Sequence, residues 1–179
     1  MSLTVATLIP GLFLLAVGLP LLLANSAALA AFKAFPRSQT AAVVCFGGGS
    51  AWFLYNVAHL SEADFGHYRG WLFVGFALVA AFSFKCVPDF LAVRGACVLM
   101  LLAAMPLLDS AYMEYEHPQR LFMVTAVYFG IALALWLGAQ PWRLRDFFEW
   151  LFARMGRSRG VGGFLTLYGL VLCAVAFTY

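Results

Sequence analysis

Charge is what this chain has least of. Only 11% of its 179 residues are charged, against about 25% in an average soluble domain. No acidic or basic side chain occurs between Leu3 and Phe32. With 64% hydrophobic residues, a water-soluble globule of this size could not cover its apolar surface. No Asp, Glu, Lys, Arg or His falls near the centre of an apolar run. That argues against a proton-coupled pump or carrier, which keeps ionisable groups at depth. The four cysteines, Cys45, Cys86, Cys97 and Cys173, form no C-x-x-C pair, so a thiol oxidoreductase is not indicated. Bis-histidine haem needs two histidines at matched depth, and only His59 lies near a span. No nucleotide signature appears. The lone "GVGG" near residue 160 reads as a loop, and no nucleic-acid partner is expected.

What is present is a series of six apolar runs, at about 5–32, 39–60, 69–86, 89–108, 119–139 and 161–179. A membrane-crossing helix needs about 20 residues. The first run exceeds that and lacks a basic leader, so it reads as a retained helix and not a cleaved signal. Pro10 and Pro20 are its expected bending points, since each removes an N–H from the helix ladder. Ser38 is placed to cap the second helix and Asp89 the fourth, and Pro118 suits the first turn of the fifth. The third run is short, so Tyr68 and Lys85 are expected to reach into the interfaces.

Between the fifth and sixth runs lies "PWRLRDFFEWLFARMGRSRG". On a helical wheel Leu144, Phe147, Phe148, Leu151, Phe152 and Met155 share one arc. Arg143, Arg145, Asp146, Glu149 and Arg154 share the other. This pattern predicts an amphipathic helix over about 142–155, lying in the membrane plane. The expected fold is therefore a single all-α membrane domain over 1–179. It is a six-transmembrane-helix bundle with one interfacial amphipathic helix before the last span.

The basic residues give this bundle a direction. Lys33, Arg37, Lys85, Arg94, Arg143, Arg145, Arg154, Arg157 and Arg159 are nine of eleven, and all fall at or beside the first, third and fifth loops. The other loops hold Arg69 and Arg120 with Glu62, Asp64, Asp109, Glu114 and Glu116. By the positive-inside rule the basic loops face the cytoplasm and both termini are extracytoplasmic. A bacterial inner membrane is the expected location. Arg143, Arg145, Arg154, Arg157 and Arg159 are expected to contact anionic headgroups of the bilayer or an acidic partner.

Two further segments invite a functional reading. "NVAHLSEADFGHYRGW" holds His59, Glu62, Asp64 and His67, and the other acidic loop holds Glu114 and His117. Imidazole with carboxylate is a ligand set for a divalent metal. Against it, Pro118 pushes His117 out of helical geometry and spoils the Glu114-x-x-His117 spacing. Ser61 with Asp64 also reads as an ordinary turn or cap. Gly47, Gly48, Gly49 and Ser50 lie mid-span with Asn56 beyond them. Close packing of another helix is the expected use of such residues, and an opening that lines a permeation path is the alternative.

These features order the functional expectations. First comes a non-catalytic subunit or scaffold of a larger membrane complex, partnered by other membrane subunits or by self-association. A small channel or carrier, with its path near the "GGGS" segment, is second. A metal-binding protein or metal-dependent enzyme at the outer face is third.

Overall fold

A computed structural model describes residues 1–179 as helices joined by short turns, without strands. Its helices are α1 (Leu3–Leu22), α2 (Ser26–Ala34), α3 (Gln39–Ala58), α4 (Arg69–Cys86), α5 (Leu91–Asp109), α6 (Arg120–Ala139), α7 (Trp142–Phe152) and α8 (Met155–Ala176). All but α2 and α7 are long and apolar enough to cross a membrane.

The first apolar run is two helices and not the single one expected over 5–32. α1 passes through Pro10 and Pro20 and stops at Leu22. The chain then turns at Ala24, whose φ of 50° is left-handed. The Asn25 side chain accepts the Ala27 N–H at 3.0 Å and opens α2. A polar side chain that bonds to nearby backbone competes with a continuing helix, and here it wins. The remnant, α2, packs along α7, with Phe32 6.0 Å from Phe148 between ring centroids.

Three other boundaries differ from expectation. Arg154 is extended, so α7 ends at Phe152, and Met155 begins α8 with its side chain exposed. "GVGG" is thus helical, and α8 starts six residues before position 161. Ser158 gives the reason: its buried hydroxyl donates to the Leu21 carbonyl at 3.1 Å, which fixes this first turn against α1. Asp89 does not cap α5. Phe90 stands at that cap with φ 57°, and no side chain bonds there. Ser38 does cap α3, accepting the Ala41 N–H at 3.2 Å.

From neighbour to neighbour the long helices follow the order α8, α1, α6, α5, α3, α4. The most extensive contact joins the first and last helices, which run antiparallel. Gly11 and Gly18 on α1 meet Gly162 and Gly169 on α8, each pair spaced seven residues, or about two turns. A Cβ on Gly162 would stand 2.3 Å from the Leu22 nitrogen, and one on Gly169 2.9 Å from the Gly11 carbonyl oxygen. The backbones touch, and no larger residue fits between them.

A second close approach joins α3 and α5. Residues Val43–Gly47 form a π-helical segment within α3. A Cβ on Gly95 of α5 would stand 2.2 Å from the Phe46 nitrogen. At the row's end, α4 leans on α3 through Phe53–Phe76 and Phe46–Phe84, edge to face at 5.0 and 5.5 Å. No residue of α4 is buried. The main core lies instead where α1, α5, α6 and α8 meet, around Ala6, Leu107, Met123, Val127 and Leu172.

Candidate functional site

The basic loops converge at one end of the molecule. Arg37, from the first loop, lies 5.7 Å over the Phe90 ring of the third. Lys33, at the end of α2, lies 5.5 Å over the Phe152 ring of α7. The five arginines singled out near α7 then divide into two groups. Arg143 donates to the Gln140 side chain and lies 5.4 Å over Trp136. Arg157 donates to the Trp150 carbonyl at 3.0 Å and lies 4.6 Å over its ring. Arg145 is paired with Asp146 at 2.7 Å and, more loosely, with Glu149 at 3.8 Å. The hydrogen bonds it donates to Asp146 hold this guanidinium above its already high ordinary pKa, so it stays charged at any working pH. Arg154 and Arg159 are exposed and make no side-chain hydrogen bond, ion pair or cation–π contact.

Between α2 and α7 this end carries a half-open surface pocket of about 280 Å³. Lys33, Arg145 and Glu149 supply its polar lining, and Phe148, Phe152 and Ala153 the apolar part. Lys33 was no part of the site expected from sequence. More than a hundred residues separate it from Phe148, and only the turn at Ala24 swings α2 onto α7.

The metal candidates are not brought together. No group of three or more His, Cys, Asp or Glu side chains converges in a ligand arrangement. α3 ends at Ala58, so His59 and Glu62 do not share a helix face. The His59 Nδ1 is 2.8 Å from the Tyr55 carbonyl, and its ring lies tilted against the Tyr55 ring, 4.2 Å between centroids. Glu62 and Asp64 lie in one short 3-10 turn and His67 in the next. Ser61 donates to Asp64 at 2.8 Å, the turn contact read from their spacing. His117 sits in a turn after Glu114 and packs edge-on against Tyr179 at 5.4 Å. Each histidine is thus paired locally or exposed to solvent.

The mid-span glycines also differ among themselves. Gly49 is buried, and a Cβ there would stand 3.1 Å from Val98 of α5. Gly48 has nothing within 4 Å of that position, and Gly47 only the tip of Phe84 at 4.0 Å. Ser50 is half-buried, and Asn56 is exposed. The residue that makes the tightest approach to this segment is Gly95 on the opposite helix. Its signal in the sequence is a lone glycine in "VRGAC", which carries no pattern by itself.

No family model, curated protein or solved structure matches the chain.

Proposed function

We propose that this chain is a non-catalytic subunit or scaffold of a larger membrane assembly, an inner-membrane protein with its basic end in the cytoplasm and both termini outside. The observation that carries the reading is α4. It is an apolar helix of membrane-crossing length with no buried residue, and Trp71 on it is 81% exposed. Gly70 and Gly75 on α4, like Gly48 on α3, have only open space where a side chain would be. Glycine costs a helix about 1 kcal/mol relative to alanine. In lipid that cost is commonly offset by the close approach of another helix. Nothing within this chain approaches these three glycines, so a helix from another chain is the natural occupant. The short loops leave no extramembrane domain for chemistry.

A photo-crosslinking residue at Val79, exposed on α4, tests this in native membranes. The expected product is a discrete adduct with a different membrane protein, and that protein should co-purify stoichiometrically in mild detergent. Adducts to lipid alone, with a monomeric chain in detergent, would remove the proposal. An adduct of two copies of this chain would favour the channel or carrier reading instead.

A further inference from the structure

We infer that the cavity between α2 and α7 is a binding site for the phosphodiester headgroup of an anionic glycerophospholipid. The inference rests on the membrane reading above but not on the identity of any partner subunit. Four observations meet at this place.

The first is the cavity's lining. Two cations and one carboxylate face it together with Phe148, Phe152 and Ala153. Asp146 and Glu149 both lie against Arg145, so Lys33 is the charge left unpaired, and an unpaired cation beside an apolar wall matches an amphiphile that carries a phosphate. It fits a free anion poorly, because half the lining would stay unused.

The second is its size. Small-molecule sites run to about 300–1,000 Å³. At about 280 Å³ and open on one side, this one lies just below that range and has room for a headgroup and none for acyl chains. The third is the state of the cations. Lys33 has no ion-pair partner and rests only against the Phe152 ring. Arg145 is held in place by Asp146 through Nε and Nη2, which leaves Nη1 without a partner. One fixed guanidinium and one free ammonium form a two-point clamp for phosphate oxygens. Glu149 in the same lining would accept hydrogen bonds from headgroup hydroxyls.

The fourth is position. α7 joins two helices of membrane-crossing length, and its apolar face belongs at the boundary of lipid and water. The neighbouring arginines Arg143 and Arg157 lie outside the lining and donate to the Gln140 side chain and the Trp150 carbonyl. Specific recognition therefore falls to Lys33 and Arg145, and a diffuse attraction to Arg154 and Arg159.

The test is native mass spectrometry of the full chain in mild detergent, titrated with phosphatidylglycerol, phosphatidylcholine or inorganic phosphate. Phosphatidylglycerol is expected to remain bound in preference to phosphatidylcholine. Lys33→Gln should weaken it about fivefold, the worth of one lysine at an anionic membrane surface. Lys33→Arg should restore binding, and Lys85→Gln, away from the cavity, should leave it unchanged. Equal retention of the two lipids would overturn the site, as would an unchanged preference in Lys33→Gln. Displacement of the lipid by an equal concentration of inorganic phosphate would also overturn it. A chain that stays monodisperse without detergent would instead remove the membrane reading beneath it.

Discussion

Four residues other than glycine have positive φ: Ala24, Phe65, Phe90 and Met113. Each stands where one helix gives way to the next element. The left-handed region costs an L-residue about 1–2 kcal/mol, and glycine avoids that cost. Ala24 has the least side chain to lose, so Ala24→Gly should stabilise the fold by about 0.5–1 kcal/mol. A thermal or denaturant midpoint in detergent checks this, and a lower midpoint would contradict the assigned turn. Phe90 is a different case, because its ring receives Arg37 and packs beside Val93 and Cys97. There the strain is offset by side-chain contact. Neither position announces itself in the sequence, since alanine and phenylalanine carry no turn signal of the kind that glycine and asparagine do.

The decisive property of these helices is how close their backbones approach. In the proposed membrane setting, apolar side chains would gain little by leaving lipid for a neighbouring helix, so association would rest on fit. Gly162→Ala and Gly95→Ala each put a methyl group into a facing backbone. Both should destabilise by about 1–3 kcal/mol, the usual cost of overpacking. Gly48→Ala meets open space and should be neutral or gain up to about 1 kcal/mol of helix propensity in the isolated chain. Denaturation in mixed detergent micelles separates the two classes. Equal effects at all three positions would contradict the packing described. The "GGGS" run draws attention because its glycines are consecutive, yet only Gly49 is used for close contact within the chain. The heptad-spaced Gly11, Gly18, Gly162 and Gly169 are individually unremarkable, and their pairing exists only once α1 and α8 are adjacent.

For the whole molecule, the separation of charge between its two ends makes a prediction about orientation. Cys86 lies at the basic end and is exposed, while Ser61 lies in an acidic turn at the other. In a background with Cys45, Cys97 and Cys173 replaced by alanine, Cys86 should resist a membrane-impermeant maleimide in intact cells. Ser61→Cys, with Cys86 also removed, should react. The reverse pattern would invert the proposed topology, with the α2–α7 cavity then facing outward. The open row of helices, with α4 at its edge, also locates where an assembly would grow. The proposed partner, docked beside α4, would extend the row without disturbing the α1–α8 seam.

Six helices of membrane-crossing length and the amphipathic α7 were legible in the sequence, because hydropathy and charge order are local properties, whereas the end of α1 and the start of α8 were not. The Ser61–Asp64 turn was legible too, from the spacing of the two residues. The tertiary structure alone decided which helices touch, that α2 breaks away from α1, and that Lys33 joins Arg145 around one cavity. The physical reason is that apolar helices of this length look alike one by one. Their pairing is chosen by steric fit between backbones distant in sequence, and no residue carries that information by itself.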